Sequence, residues 1–215
     1  MPRARKSGTA RAGAAPRARA SSDATQAADP RAKLIDAAFD LAEKRGWRGL
    51  GMGEIAKAAG VSLASAYALF PTKVALLAGF GRRLNEAMLA AGEAEGSSRE
   101  KLFELLMRRF DALKPRRAAL RAIARDGMGD PLMLCGVPVF LNGMAWTLEA
   151  AGISAAGWGG PARVFVLSGI YLAAFRVFID DDSEDLSKTM AALDRRLEAA
   201  PLGSSRGESP SPAAS

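Results

Sequence analysis

The chain has no histidine and a single cysteine among its 215 residues. Without histidine there is no Ser-His-Asp or Cys-His constellation and no histidine metal site. With one thiol no disulfide can close within the chain, so an oxidising compartment is not required. Cys135 stands in an apolar stretch and reads as a core residue. β-Branched runs are scarce, whereas 49% of residues are hydrophobic and strong helix formers are common, which points to an all-α protein. Residues 1–30 lack Leu, Ile, Val and every aromatic, so they cannot bury enough surface to offset ordering entropy and read as disordered. The Ser/Pro/Gly/Ala-rich residues 201–215 read the same way. Between them the longest apolar run, Val164 to Phe175, is twelve residues flanked by Arg163 and Arg176. That is too short for a transmembrane helix, and a buried helix at a bundle centre or dimer face is expected.

The formal charge of +7 is uneven. Residues 1–83 carry 15 Lys+Arg against 6 Asp+Glu, and residues 84–215 carry 15 against 17, so +9 and −2 make the total. A basic front half on a near-neutral remainder is what a phosphate-binding module attached to another domain shows. The tail has six Lys+Arg before its first acid, Asp23, and three readings stay open: a solubilising tail, an arm on the DNA backbone, or a targeting segment.

Four signals then arrive in order. Asp29-Pro30 starts a helix whose stripe is Leu34, Ile35, Ala38, Phe39, Leu41 and Ala42, and Gly46 stops it before Trp47. A second helix carries Ile55, Ala56 and Ala59 and ends at Gly60. Ser62 is placed to cap a third, Leu63-Ala-Ser-Ala-Tyr-Ala-Leu69, which is too short to stand alone. Phe70-Pro71 breaks it, and Thr72 caps the next helix with Lys73 in its first turn. Two short helices about a glycine turn form a helix-turn-helix, whose second helix presents its face to the major groove. The Gly49-Leu-Gly-Met-Gly53 run has no strand before it and is no nucleotide loop.

From Ala32 to Phe80 the sequence resembles the TetR family of transcriptional regulators: Gly46-Trp47, Ile55-Ala56, Ala59-Gly60-Val61-Ser62, then Tyr67, Phe70 and Lys73 in Y-x-x-F-x-x-K spacing. The resemblance implies a cytoplasmic homodimer on double-stranded DNA, a repressor released by its ligand. It implies DNA contacts by Ser62, Leu63, Ala64, Ser65 and Tyr67, with Lys73 on a phosphate. Against strong direct readout, the third helix has no Arg, Lys, Asn or Gln, the bidentate readers of bases. Gly51 stands where the family has a capping Thr or Ser, and Ala68 and Leu69 replace its His and Tyr.

Domain boundaries are expected at 31–80 for the DNA-binding head and 81–200 for a helical body, with about nine helices in all. Those of the body span roughly 98–113, 115–126, 130–151, 161–180 and 183–199. Phe103–Leu120 and Asp180–Leu197 resemble the lipid-binding accessory protein of ubiquinone biosynthesis, itself TetR-like in fold. Helix 130–151 is more apolar than one buried stripe requires and holds Pro138, expected to kink it. It reads either as a lid over an apolar, lipid-like ligand, with Phe110, Cys135, Phe140, Met144, Trp146 and Phe165 lining the site, or as core and dimer interface. Asp182 or Ser183 is expected to cap the last helix, a reading favoured over a metal site for the three consecutive aspartates. Small residues Ser168, Gly169, Ala173 and Ala174 suit a close helix–helix contact. No nucleophile–base pair or cofactor motif is visible. The sequence thus favours a ligand-responsive DNA-binding regulator, with a lipid-binding accessory protein on the same fold as the alternative.

Overall fold

The computed structural model describes residues 29–127 and 130–202. Of the expected tails 1–30 and 201–215, residues 1–28 and 203–215 lie outside them, while Asp29-Pro30 opens the first helix and Leu202 is buried. Among the described residues there are nine α-helices, two 3-10 turns and no strand. They are α1 (Pro30–Arg45), α2 (Met52–Ala58), α3 (Leu63–Leu69), α4 (Lys73–Ala90), α5 (Ser98–Leu113), α6 (Arg117–Gly127), α7 (Val137–Ala150), α8 (Gly160–Phe178) and α9 (Ser187–Glu198).

Each start has a local cause. Asp29 accepts a hydrogen bond from the Arg31 amide at 3.0 Å with Pro30 in the first turn. The Thr72 hydroxyl accepts from the Ala75 amide at 3.0 Å, and the Ser97 amide donates to Glu100 at 2.8 Å. Gly51 has no side chain to offer, so Glu54 reaches back and accepts from its amide at 3.1 Å. That bond, with Arg45 at 2.8 Å, holds the Glu54 carboxyl below its usual pKa.

In the head, α1 buries Leu34, Ile35, Ala38, Phe39 and Ala42 against α2, α4 and α6. α4 runs unbroken through residue 80, where Phe80 meets Phe39 with ring centroids 4.4 Å apart. The body packs α5, α7, α8 and α9 around Leu102, Leu106, Phe110, Met144, Leu148, Leu167, Ala174 and Phe178. An aromatic cluster joins these helices: Phe110 stacks on Tyr171 at 5.1 Å and meets Phe178 at 5.2 Å.

Three expectations about the body are corrected. The stretch 130–151 is not one helix: Pro131–Gly136 forms a 3-10 turn, and α7 begins at Val137. Pro138 lies in the first turn of α7, where its missing amide has no partner to lose, so it starts the helix instead of kinking it. The last helix begins at Ser187 after Leu186, so neither Asp182 nor Ser183 holds the cap position, although the Ser183 hydroxyl accepts from the Ser187 amide at 3.0 Å. Asp181 anchors that turn instead. Fully buried, it accepts from the Thr189 amide at 2.8 Å, the Thr189 hydroxyl at 2.7 Å, the Ser183 amide at 3.1 Å and the Ser183 hydroxyl. Burial raises its pKa, but these four bonds outweigh burial and bring it down to about 2. Its neighbours diverge to separate arginines, Asp180 to Arg121 at 3.3 Å and Asp182 to Arg117 at 3.9 Å.

α8 is longer than the twelve-residue run that announces it. At 19 residues, with a mean hydropathy of 1.4, it has the length and composition to cross a membrane. Its Leu167, Ser168, Tyr171, Ala174 and Phe178 are nevertheless buried against the bundle, as in a core helix. Of the four small residues, Ser168 and Ala174 face inward, while Gly169 is exposed and Ala173 half-buried.

Candidate nucleic-acid interface

α2 and α3 pack against each other, and Ala56 of the one and Ala66 of the other are both almost fully buried, small side chains that suit a close approach. Gly60 makes the turn with φ +64°, a left-handed conformation that glycine adopts without strain, and the Val61 amide donates to the Ala56 carbonyl at 3.0 Å. The Ser62 hydroxyl accepts from the Ser65 amide at 3.1 Å and donates to the Ser65 hydroxyl at 2.8 Å. Ala66 alone of α3 is fully buried. Leu63 (61% exposed), Ala64, Ser65, Tyr67 (70% exposed) and Ala68 face outward, with Ser62 at their edge. Five of the expected contact residues therefore share one uncovered surface. Its donors are two hydroxyl groups of serine and the phenol of Tyr67.

Lys73 does not join that surface as a free cation. Its ammonium donates to the carbonyls of Trp47 at 2.9 Å and Arg48 at 3.4 Å, and lies 5.0 Å from the centre of the Trp47 ring. The physical reason is the turn after α1, which leaves two carbonyls pointing at the start of α4. The same turn is held from its other side by the body. Asp126 of α6 accepts from the Trp47 amide at 2.7 Å and the Arg48 amide at 3.4 Å, and Arg48 donates to the Asp126 carbonyl at 3.3 Å. The Trp47 amide, with help from Arg125 and Arg48, lowers the Asp126 pKa. A Cβ at Gly46 would lie 2.7 Å from the Asp126 carboxylate, so glycine is needed there for space as well as for its φ of +79°. Arg116 adds a second tie, to Asp36 at 2.8 Å and Asp40 at 2.6 Å on α1. The sequence reading missed Asp126 because nothing near it in sequence marks a partner 79 residues away.

The six residues expected to line a ligand site do not share one. Phe110 and Met144 are fully buried in the core, and Phe140 is half-buried with its ring 5.7 Å from Tyr171. Trp146 (54% exposed) and Phe165 (63% exposed) point to solvent. Cys135, expected in the core, is exposed because the 3-10 turn carries it outward. Concavities of about 490, 550 and 370 Å³ lie elsewhere, the first along α8 and α9 at Gly169, Leu172, Ala173, Arg176, Val177 and Arg196. The body also has a charged residue in its interior: Arg109 of α5 is 5% exposed. Its position was readable, since 109 falls on the stripe of Leu102, Leu105, Leu106, Phe110 and Leu113.

Comparison with known proteins agrees with this geometry. Residues 34–79 match the profile "Bacterial regulatory proteins, tetR family", and residues 163–201 match the profile of COQ9. No curated protein matches the chain. A TetR transcriptional regulator from Nitrosomonas europaea superposes with a TM-score of 0.64 at 24% identity, covering 79% of this chain and 96% of that one. A TetR regulator from Rhodococcus sp. RHA1 gives 0.60 at 19% identity, with 79% and 94% covered. Thermus thermophilus FadR, a TetR-family repressor in complex with lauroyl-CoA, gives 0.50 at 21% identity, with 86% and 100% covered. The chain thus carries the TetR-family helix-turn-helix on an all-α, TetR-like fold.

Proposed function

We propose that this protein is a dimeric, ligand-responsive transcriptional regulator that reads DNA with α3 and binds an apolar molecule in its helical body. One observation carries the reading: Leu63, Ser65 and Tyr67 stand uncovered on a recognition helix whose only fully buried side chain is Ala66. An exposed leucine and tyrosine on a seven-residue helix need a partner surface, and the matched family supplies DNA. Two copies would set their heads one helical turn or a multiple apart on a near-palindrome. The dimer contact would use the outer stripe of α8, where Phe165, Gly169 and Leu172 are exposed. Repression with release by ligand is the mode expected of such a protein. Sequence discrimination would rest on Ser65, Tyr67 and apolar contact with thymine methyls, so it should be modest.

The test is binding to the DNA upstream of its own coding region against random DNA, across a salt series. A steep salt dependence with at least tenfold preference supports the regulator, and Tyr67→Ala should erase that preference. Equal, weak binding to both DNAs would refute it. The COQ9 match over residues 163–201 favours a second reading, a lipid-binding accessory protein that keeps this fold without specific DNA binding. That outcome would leave the second reading standing.

A further inference from the structure

We infer that Arg109 is the receptor for an anionic group, a carboxylate or a phosphate monoester, carried into the helical body on an apolar molecule. This rests on reading the body as a ligand-binding domain, and it names the chemistry of the ligand's head.

A charge taken out of water is costly unless it is paired, so buried cations normally face an anion. Several arginines of this body that stand nearer the surface have an acidic partner. Arg108 bonds Glu104, Arg116 bonds Asp36 and Asp40, Arg117 approaches Asp182, and Arg121 approaches Asp180. Arg109, the most buried of them, makes no ion pair with any described residue. Its Nη1 donates to the Asn85 side-chain oxygen and its Nε to the Tyr171 hydroxyl at 3.3 Å. The Tyr171 ring centre lies 5.2 Å from the guanidinium carbon. Both partners are neutral, and Nη2 donates no hydrogen bond to any described residue. No fully buried side-chain nitrogen or oxygen among the described residues lacks a partner. Nη2 is therefore where the guanidinium keeps its residual access.

The unused edge has the right shape. Nε and Nη2 form one fork of a guanidinium, the pair that takes a carboxylate or phosphate in two parallel bonds. Nε now rests on a long bond to a phenol, which an anionic oxygen would displace. The Tyr171 hydroxyl would then turn from acceptor to donor and give the anion a third hydrogen bond. The spot is polar by construction, because Gly143 of α7 clears room for Asn85: a Cβ there would lie 2.9 Å from the amide nitrogen. Its neighbours are apolar, with the buried Phe110 stacked on Tyr171 and the half-buried Phe140 and Phe175 centred 5.7 and 6.2 Å from the same ring. A charged head on Arg109 with a hydrocarbon tail along these rings satisfies both features.

The test is calorimetric titration of the full chain with decanoate, decyl phosphate and decanol, which share a tail and differ in the head. The wild type should bind one or both anions about tenfold or more tighter than decanol. Which anion wins identifies the head. Arg109→Met should bring all three within about twofold while circular dichroism shows the fold intact. If that variant does not fold, Tyr171→Phe serves instead, and should weaken the anions several-fold while leaving decanol unchanged. Decanol bound as tightly as both anions, or a preference surviving in the variants, overturns the anion site while leaving the apolar-ligand reading in place. Binding of none of the three overturns both.

Discussion

Gly79 and Gly81 lie two residues apart inside α4, and helix propensity alone assigns them the same response to alanine. Each substitution should then gain roughly 0.8–1 kcal/mol. The surroundings separate them. A Cβ at Gly81 would meet nothing within 4 Å, whereas one at Gly79 would lie 2.5 Å from Cε1 and 2.9 Å from Cζ of Phe70. Phe70 ends α3, is 2% exposed, and carries the Arg31 guanidinium 5.9 Å from its ring centre. To admit that Cβ, either this buried ring leaves its rotamer or α3 shifts against α4. Overpacking of this kind costs about 1–3 kcal/mol. Set against the propensity gain, Gly79→Ala should range from nearly neutral to about 2 kcal/mol destabilising, while Gly81→Ala stabilises by roughly 1 kcal/mol.

The difference between the two variants is the quantity to measure, because the propensity contribution cancels in it. It should be about 1–3 kcal/mol, read from urea melts at one fixed protein concentration. On heating, Gly81→Ala should melt about 2–4 °C above wild type. Since Phe70 fixes the end of the recognition helix, Gly79→Ala should also lose DNA affinity out of proportion to its stability. Two variants of equal stability would refute the account of Phe70 packed on Gly79.

Asp126→Ala should lower the melting temperature and the DNA affinity together, because the amides of Trp47 and Arg48 lose their acceptor, whereas Asp111→Ala, with an exposed side chain on α5, should change neither. Gly169→Trp should leave the monomer fold intact, since a Cβ there meets nothing within 4 Å, yet shift sedimentation from dimer to monomer; an unchanged dimer places the interface elsewhere. Asp181, with its folded pKa lowered to about 2 from 3.8, contributes stability that is fully present above pH 4 and lost as the pH falls through 2. That contribution is about 2 kcal/mol, and Asp181→Asn should flatten the acid limb of a stability-against-pH curve over this window; an unchanged limb would assign the acid sensitivity to other carboxylates.

The helix-turn-helix was legible because it is built from local signals. Gly46, Gly60, Ser62, Thr72 and Phe70-Pro71 act within four residues of themselves, so their effects can be read without the partner. The bundle beyond was legible in its helices and less so in their ends. The apolar run from Leu132 to Leu141 carries no polar face to mark where the 3-10 turn gives way to α7, and only Pro138 records the join. The last helix was misjudged because Asp182 and Ser183 have the composition of a cap. The carboxylate that organises the turn is Asp181, which reaches across eight residues to Thr189.

The functional residues divide along the same line. Ser62, Leu63, Ala64, Ser65 and Tyr67 were named through the family resemblance of the motif around them, and the structure leaves all five exposed. Lys73 could be placed but not oriented: its position in the first turn of α4 fits a phosphate and fits the carbonyls of Trp47 and Arg48 equally well. The turn that brings those carbonyls to the ammonium is held by Asp126 through the Trp47 and Arg48 amides. Arg109 is the converse case, since its period put it in the core while its charge suggested the surface. In a stripe of leucines and phenylalanines, a lone arginine retained at a buried position opposes the local pattern, and such conflicts cluster where a site is built. The most informative residue of the body was therefore the one that broke the periodicity, and its meaning appears once Asn85 and Tyr171 are seen to offer it no charge.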